Sequence, residues 1–249
     1  MNVPRERVSR AFAAAPDYEG HARIQRDVAR ALAVRIAALD LPENPRVLEI
    51  GCGTGFLTEA LAELGGEWLV TDLSPEMLER CRSRLGDRAG RRFAALDGEY
   101  GRPEDGPFDL ICSSLAVQWF DDAPAALSRM ADWLAPGGHL MVTTLGPGSF
   151  IEWRAAHEAE GLVPGTPRFA SVAAFGDRVH TVEHLAEHHA DPLAFLRALK
   201  AIGAQTAESG HRPLSPPQLR RVMARFARSG CNVTYEVVTC HLHREPKSS

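Results

Sequence analysis

The length, composition and charge of the sequence are those of an ordinary globular protein. Its 249 residues, of which 45% are hydrophobic and 24% charged, are enough for one large α/β domain. The formal net charge of −4 provides no overall basic field, which argues against nucleic acid as a partner.

Helices and strands are predicted in alternation from residue 23 onward. Apolar residues at helical spacing indicate a helix over 23–39, and the apolar run RVLEI at 46–50 indicates a buried strand. A glycine turn at 51–55 opens the next helix. Residues 67–71 indicate a second strand, and a helix begins at Ser74 with a proline in its favoured first position.

The same alternation continues to residue 145. A weaker strand at 92–96 precedes a stronger one at 108–113. A helix over 123–135 is expected to stop at the Pro-Gly-Gly sequence 136–138, and residues 139–145 are expected to form a fifth strand. Five strands that alternate with helices imply a parallel sheet covered on both faces.

The C-terminal part of the chain is less regular. A short helix is expected near 152–160, followed by a stretch that contains glycine and proline, and two further helices are expected over 191–201 and 215–228. Residues 233–242 alternate like a final strand, which we expect to be an antiparallel edge of the sheet. We interpret residues 146–190 as an insertion that caps the carboxyl end of the sheet.

The segment Glu49-Ile50-Gly51-Cys52-Gly53-Thr54-Gly55 carries the strongest functional signal. Ligands of open α/β sheets bind beyond the carboxyl ends of the strands, and a glycine turn lets them approach the backbone. The spacing here is GxGxG, whereas the dinucleotide fingerprint is GxGxxG. Glu49 ends the strand, where an acid suits a cationic amino-acid moiety better than a pyrophosphate.

Acidic residues also follow the next two predicted strands. Asp72 lies 17 residues past Gly55, where a carboxylate can accept both hydroxyls of a ribose. The Asp97-Gly98 pair could bracket an adenine edge, although Asp97 would equally suit an ordinary turn. A dehydrogenase would share Asp72, but the acid before the glycines and the missing phosphate spacing favour S-adenosylmethionine.

On these residues the sequence resembles the class I S-adenosylmethionine-dependent methyltransferases. The matching segments are VLEIGCGTG (47–55), TDLSPEML (71–78), FDLICSSLAVQW (108–119) and LAPGGHLMVTTL (134–145). The resemblance implies a doubly wound, Rossmann-like α/β fold, with a mostly parallel seven-stranded sheet, an antiparallel last strand and a helical lid insertion.

A narrower resemblance covers nearly the whole chain. RAFAAAPDYEGHARIQ (10–25), SSLAVQWFDD (113–122), TTLGPGSFIEWRAA (143–156), DPLAFLRALKAIGA (191–204) and VTYEVV (233–238) resemble the malonyl-[acyl-carrier protein] O-methyltransferases of biotin synthesis. That family methylates the free carboxylate of a malonyl thioester, which implies malonyl-acyl-carrier protein or malonyl-CoA as the acceptor. Ser114 departs from the pattern, because Asn is expected there.

The resemblance also implies a domain plan and a set of cofactor contacts. The chain is expected to be one methyltransferase domain with an N-terminal helical lid (1–40), a cofactor-binding core (41–145), an acceptor-side insertion (146–190) and C-terminal helices with an edge strand (191–249). The residues expected to bind the cofactor are Gln25, Glu49, Gly51, Cys52, Gly53, Thr54, Gly55, Asp72, Leu73, Met77, Asp97, Gly98, Ser113 and Leu115.

The chemistry of carboxyl methylation determines which catalytic groups are expected. Because a carboxylate has no proton to remove, the enzyme needs alignment and exclusion of water and no general base. A desolvated carboxylate needs a partner, and we choose Arg154, which would otherwise be a surface residue. Tyr18 is expected at the acceptor or methionine end of the site, although it could instead be an aromatic residue that only packs. Gln118 and Trp119 are expected on the acceptor side, although Trp119 would equally suit the core.

Other charged and metal-binding residue types give weaker signals. Arg221, Arg225 and Arg228 share a predicted helix face that could dock an acidic carrier protein, or could simply be solvated. His184 and His188 have helical spacing without an HExxH motif, so we expect no metal.

The cysteines and the N-terminus bear on the compartment. The five cysteines form no CxxC pair, which is typical of neither a zinc cluster nor a disulfide framework. The N-terminal segment lacks the apolar core of a signal peptide, and no apolar stretch is long enough to span a bilayer. We therefore expect a cytoplasmic protein with no membrane partner.

Three alternatives remain open from the sequence alone. The first is methylation of another small carboxylic acid or of a ring carbon. The second is a non-catalytic module that binds the cofactor as a subunit or regulator. The third is a dehydrogenase.

Overall fold

The computed structural model describes residues 23–201 and 212–246, and these fall into two compact units. The larger unit contains residues 25–144, 170–182 and 238–246, and the smaller unit contains residues 23–24, 145–169, 183–201 and 212–237. Most of the expected N-terminal lid, including Tyr18, lies outside the described residues.

Seven strands form one sheet in the order β3-β2-β1-β4-β5-β7-β6. They are β1 (Arg46–Ile50), β2 (Glu67–Asp72), β3 (Arg91–Ala95), β4 (Phe108–Ser114), β5 (Leu134–Leu145), β6 (Val179–His188) and β7 (Asn232–His243). The pairs β1–β2, β1–β4, β2–β3 and β4–β5 are parallel. Strand order reverses beside β1, which places a ligand-binding crevice at the carboxyl end of that strand.

Seven α-helices accompany the strands within the described part of the chain. They are α1 (Arg23–Ala37), α2 (Phe56–Ala60), α3 (Pro75–Leu85), α4 (Ala123–Ala131), α5 (Ile151–Glu158), α6 (Pro192–Ala201) and α7 (Pro216–Arg228). In the same part of the chain, no helix is both long and apolar enough to cross a bilayer.

Local sequence explains where these helices begin. The backbone N–H of Met77 donates to the Ser74 side chain at 3.3 Å, and Pro75 occupies the first helical position, as the sequence predicts. Asp122 accepts from the N–H of Ala125 at 3.0 Å and so caps α4 in the same way. These caps satisfy amides that would otherwise lack partners at the helix ends.

The core of the larger unit is apolar and closely packed. Leu48, Ile111, Leu127 and Leu140 are at most 1% exposed and belong to one cluster of buried side chains. Burial of this kind is the main favourable contribution to folding, because it removes apolar surface from water. The predicted α/β fold with a parallel central sheet is confirmed.

The prediction for residues 123–135 is wrong at its C-terminal end. Helix α4 stops at Ala131, and β5 begins at Leu134 and includes the Pro-Gly-Gly sequence. The register explains this, because Phe108 pairs with Leu134 while Leu110 pairs with His139. Residues 135–138 of β5 therefore lie opposite the single residue Asp109 of β4, so the Pro-Gly-Gly sequence interrupts the regular pairing of the strand and does not terminate a helix.

The order of the last two strands also corrects the prediction. Strand β7 is antiparallel as expected, since Gly137 donates its N–H to the Arg244 carbonyl and Gly146 donates to that of Glu236. It lies between β5 and β6, so β6 is the edge. The sequence analysis missed β6, which lies inside the expected 146–190 insertion. Its half-buried and exposed positions alternate, but histidines and glutamates hide that alternation in the sequence.

Aromatic side chains form the core of the smaller unit. The Phe195 ring lies 5.3 Å from the rings of Trp153 and Phe226 and 6.4 Å from that of Phe150, and the Phe150 ring lies 5.2 Å from that of Tyr235. All five side chains are at most 5% exposed. Rings at these distances contribute more than their buried area alone.

Candidate functional site

A glycine turn joins β1 to α2 at the carboxyl edge of the sheet. Gly51, Gly53 and Gly55 have φ of 68°, 54° and 91°, which L side chains rarely adopt. A Cβ on Gly51 would lie 2.4 Å from the Cβ of Ala116. The backbone of the turn is therefore compatible only with glycine at this position.

Asp72 holds this turn against the start of α3. Its Oδ2 accepts from the N–H of Gly53 at 2.9 Å, and its Oδ1 accepts from the N–H of Ser74 at 2.8 Å. Burial raises the pKa of the carboxyl, while the two amides oppose that rise. Because each carboxylate oxygen can accept more than one hydrogen bond, both retain capacity for a ligand hydroxyl.

Glu49 is a buried acid at the end of β1, with 1% of the residue exposed. Its Oε2 accepts from Thr58 Oγ1 at 2.6 Å, and its carbonyl accepts from Thr71 Oγ1 at 2.7 Å. Burial raises the pKa of Glu49 to about 7, and the Thr58 hydrogen bond opposes this rise. The site thus contains an acid whose charge depends strongly on its surroundings near neutral pH.

Asp97 and Gly98 follow β3. Asp97 Oδ1 accepts from the backbone N–H of Glu99 at 2.9 Å and of Tyr100 at 3.1 Å, which is the turn geometry considered as an alternative from the sequence. A Cβ on Gly98 would lie 2.4 Å from Ile50 Cγ2, so this loop passes close to the end of β1. A contact between Asp97 and the edge of an adenine ring remains a proposal.

Glu99 is a structural residue of the site that the sequence analysis missed. The residue is 1% exposed, and its carboxylate accepts from the N–H groups of Asp121 and Asp122, both at 2.8 Å. The guanidinium of Arg129 donates to its carbonyl at 2.8 Å. Glu99 therefore ties the loop after β3 to the loop after β4. No pattern in the sequence marks this function, because the partners are backbone amides.

The remaining expected cofactor residues of the turn and of α3 differ in exposure. Leu73, beside Asp72, is 40% exposed, whereas Met77 is 2% exposed. Cys52 is buried, and its contact with the Cys81 thiol and its burial raise its pKa, so its thiolate form is disfavoured. Thr54 is 3% exposed, and its Oγ1 has no hydrogen-bond partner in the described part of the chain.

Three expected site residues lie together at the end of β4 and in the loop that follows it. Ser113 Oγ donates to the Ile50 carbonyl at 2.8 Å and so links the ends of β4 and β1. Leu115 has a φ of 50°, and its carbonyl accepts from Gln118 Nε2 at 2.6 Å. Gln118 Oε1 is buried without a hydrogen-bond partner among the described residues. Trp119 belongs to a short 3-10 helix here and is half-buried.

The other expected residues are more scattered. Gln25 is half-buried on α1 in the larger unit. Arg154 belongs to the smaller unit, where its guanidinium donates to the Pro147 carbonyl. Arg221 and Arg225 both bind Glu160, at 2.9 and 2.8 Å, and together they lower its pKa, whereas Arg228 is exposed.

Histidines and cysteines do not assemble into a metal centre within residues 23–201 and 212–246. No group of three or more His, Cys, Asp or Glu side chains there could hold a metal ion. The spacing of His184 and His188 in the sequence suggested a shared helix face. Both residues lie instead on strand β6. His184 pairs with Glu236 at 3.3 Å.

Comparison with known proteins gives a consistent family. Residues 48–140 match the family described as "Methyltransferase domain". The "Biotin biosynthesis bifunctional protein BioCD" of Bordetella avium is 48% identical over 242 residues, covering 94% of this chain. The chain spans only 51% of the length of that relative.

A second relative matches along its whole length. The "Malonyl-[acyl-carrier protein] O-methyltransferase" of Magnetococcus marinus is 40% identical over 257 residues, covering 96% of this chain and 95% of that protein. Among solved structures, the YcgJ protein of Bacillus subtilis superposes with a TM-score of 0.60 at 15% identity, covering 88% of this chain and 99% of that one. That likeness supports the fold alone.

Proposed function

The chain belongs to the malonyl-[acyl-carrier protein] O-methyltransferase family, and on that premise we propose that it transfers the methyl group of S-adenosylmethionine to the free carboxylate of a malonyl thioester. The methyl ester so formed would be the starting compound of the pimeloyl part of biotin. The observation that carries the proposal is the 40% identity to the Magnetococcus marinus enzyme over 95% of its length.

The residues of the larger unit fit S-adenosylmethionine. The Gly51 turn excludes a Cβ, Asp72 retains acceptor capacity for ribose hydroxyls, and Glu49 offers a negative charge for an amino-acid cation. Thr54 Oγ1 and Gln118 Oε1 are buried without partners in the described part of the chain, and buried polar atoms of this kind call for a ligand or water. The exposed side chain of Leu73 suits the face of a base.

The chemistry requires positioning and charge compensation from the protein. A bound S-adenosylmethionine would supply an activated methyl group and leave as S-adenosylhomocysteine, and the acceptor carboxylate has no proton that a general base would need to remove. The residues around Asp72 and Glu49 orient the cofactor, and a guanidinium near the acceptor would balance its charge. We propose Arg154 for this guanidinium and Tyr18 and Gln118 as further acceptor-side groups.

The proposed reaction can be tested with two carrier substrates. The protein is incubated with labelled S-adenosylmethionine and either malonyl-acyl-carrier protein or acetyl-acyl-carrier protein, followed by intact-mass analysis. We expect the mass of one added methylene on the malonyl form and none on the acetyl form, because only malonyl has a free carboxylate. Absence of any gain on malonyl would contradict the proposal.

Arg154 can be tested separately from cofactor binding. We expect Arg154→Ala to remove most malonyl turnover while the dissociation constant for S-adenosylhomocysteine, measured by calorimetry, stays at the wild-type value. The matched control is Arg168→Ala, an exposed arginine of the same unit outside helix α5. Equal loss of turnover and cofactor binding in Arg154→Ala would contradict the proposed role.

The carrier protein is proposed to dock on α7. The carboxylate of Glu160 faces the guanidinium groups of Arg221 and Arg225, so the pair keeps an excess positive charge, to which Arg228 adds. Basic surfaces of this kind accelerate encounter with an acidic partner.

Charge reversal tests the docking surface. We expect Arg225→Glu with Arg228→Glu to raise the KM for malonyl-acyl-carrier protein and to leave that for malonyl-CoA unchanged. Arg220→Glu, a single charge reversal on the same helix away from this face, is the control for each of the two reversals made alone. An unchanged KM for the carrier protein would remove α7 as the docking surface.

We also propose that the chain works as one methyltransferase domain. Residues 1–40 would cover the cofactor as a lid, 41–145 would form the core, 146–190 would serve the acceptor side, and 191–249 would complete the domain. Hydrogen exchange with and without S-adenosylhomocysteine tests the lid. Unchanged exchange in residues 1–40 would contradict it.

A further inference from the structure

Thr58 and Glu49 form a buried pair behind the glycine turn. Thr58 Oγ1 donates to Glu49 Oε2 at 2.6 Å, and each residue is 1% exposed. Glu49 lies on the strand that enters the turn, and Thr58 lies on the helix that leaves it. The hydrogen bond therefore connects the two ends of the turn and fixes the direction of the carboxylate.

The carboxyl group of Glu49 lies in an environment that opposes its charge. Burial is the largest effect on its pKa, which is raised to about 7, and Asp72 on β2 adds to the rise. The Thr58 hydroxyl is the largest opposing influence, followed by Arg91 on β3.

Three buried cysteines interact with the pair. The negative charge of Glu49 contributes to the raised pKa values of Cys52 and Cys112, and Cys81 Sγ lies 3.9 Å from Thr58 Oγ1. Neutral thiols compensate a carboxylate poorly, because the S–H group is a weak donor. Thr58 is therefore the principal neutral group that favours the ionised form of Glu49.

We infer that Thr58 is a positioning residue for the cofactor, which holds the Glu49 carboxylate ready for a cationic ligand so that binding releases a proton from Glu49. In that step, the neutral carboxyl loses its proton to solvent and the carboxylate remains beside the bound cation. The inference rests on the proposed function, because it takes the amino-acid moiety of S-adenosylmethionine to lie at the turn.

The inference gives a definite pH dependence of binding. With a pKa of about 7, Glu49 is about half protonated in the free protein at pH 7. Affinity should therefore rise with pH, level off above about pH 8, and fall about tenfold per pH unit well below pH 7. About half a proton should leave per ligand bound at pH 7.

Calorimetry with S-adenosylhomocysteine tests this without turnover. Titrations between pH 6 and 9 in buffers of different ionisation enthalpy give both the dissociation constant and the number of protons released. In Thr58→Val, loss of a hydrogen bond to a charged group should move the pH midpoint upward by about one to two units. At pH 7 the dissociation constant should rise about 5- to 50-fold, and at pH 9 it should differ by about twofold or less.

Two further variants test whether the Thr58 hydroxyl and the Glu49 carboxyl cause the pH dependence of binding. Thr58→Ser keeps the hydroxyl and should restore the wild-type pH profile, whereas Glu49→Gln should bind weakly and release no proton at any pH. Thermal unfolding of each variant verifies that it is folded, and the wild-type proton release tests the coupling even if Thr58→Val does not fold.

Each outcome bears on the inference in a distinct way. A loss of affinity in Thr58→Val by the same factor at every pH would indicate a merely structural residue and overturn it. Binding by the wild type without proton release between pH 6 and 8 would overturn it and leave the proposed function standing. Failure of S-adenosylhomocysteine to bind the wild type at all would overturn both.

Discussion

The carboxylates at the sheet edge of the larger unit and those of the smaller unit differ in how far along the chain their hydrogen bonds reach. In the larger unit, Asp72 binds an amide 19 residues away and Glu99 binds one 22 residues away. In the smaller unit, Glu152 binds the amide of Thr234 across 82 residues, and Glu236 binds that of Gly148 across 88. The loops at this sheet edge are thus held by carboxylates within neighbouring strand–turn–helix segments, whereas carboxylates of the smaller unit join distant segments.

The two units also position their functional groups in different ways. The larger unit places its polar groups by backbone geometry at strand ends, which many sequences can adopt with the same few glycines and acids. The smaller unit places its groups through the packing of aromatic rings from α5, α6, α7 and β7. A turn of this kind can therefore be identified from a few neighbouring residues, whereas a packed aromatic cluster depends on the whole unit.

The largest expected effect tests the aromatic side of this comparison. Phe195→Ala should lower the free energy of unfolding by about 3 to 5 kcal/mol, because Phe195 is fully buried and contacts the rings of Phe150, Trp153 and Phe226. Urea unfolding at constant pH measures the loss. Leu193→Ala, on the same helix but 49% exposed, is the control and should cost about 0.5 kcal/mol. Similar losses of stability in both variants would contradict the stabilising role of the aromatic cluster in the smaller unit.

A smaller effect tests the backbone side. Gly51→Ala should cost about 2 to 4 kcal/mol and abolish binding of S-adenosylhomocysteine, because the new Cβ adds a 2.4 Å contact with Ala116 Cβ to the strain of a φ of 68°. Gly86→Ala has the same φ of 68° with no atom within 4 Å of the added Cβ.

The control variant Gly86→Ala measures the cost of a side chain at positive φ without a close contact. Gly86→Ala should cost about 1 to 3 kcal/mol, because the φ of 68° and ψ of 171° at Gly86 are essentially restricted to glycine, and it should leave ligand binding intact. Urea unfolding and calorimetry measure the two quantities. If both variants bound the ligand equally well, the close approach at Gly51 would not matter.

The smallest of the three effects is a dependence of stability on pH that arises from Glu49 at the sheet edge. Burial raises the pKa of Glu49 from 4.5 to about 7, so the folded state binds the proton more tightly than the unfolded state. The stability that this provides is fully present below about pH 4.5 and is lost as the pH rises to about 7.

Replacing the acid should remove this loss. Glu49→Gln should be more stable than the wild type at pH 8 by about 2 kcal/mol, which is less than the full shift implies because the amide must also be buried. The difference in melting temperature should close as the pH falls toward 5. A constant difference at all pH values would contradict the raised pKa of Glu49.

The signals for the sheet edge of the larger unit are local in sequence, which explains why much of that edge could be predicted. RVLEI, the glycine turn, Ser74 with its following proline, and Asp72 each have a signal within a few residues, and the structure places them at one sheet edge. Glu49 could be selected as a site acid, but its partner Thr58 could not, because no motif specifies a threonine at that point of α2.

The rest depends on contacts that a single sequence does not reveal. Strand β6 carries histidines and glutamates at positions 180, 183, 184, 187 and 188, a spacing that does not alternate, so its pairing with β7 decides its structure. The Pro-Gly-Gly sequence resembles a helix stop, yet it lies inside β5, where the register with β4 shifts between Phe108 and Leu110. The ion pairs of Arg221 and Arg225 with Glu160 join residues more than 60 positions apart.

Leu115 affects how variants of Gln118 should be interpreted. Its left-handed backbone, with a φ of 50°, is held by its own N–H bonded to the Thr143 carbonyl at 3.0 Å and by the Gln118 amide bonded to its carbonyl. Removing the Gln118 amide would therefore release a strained peptide as well as delete an acceptor-side group. A drop in turnover for Gln118→Ala combines both causes, and Leu115→Gly in the same background would separate them, since glycine adopts this conformation without strain.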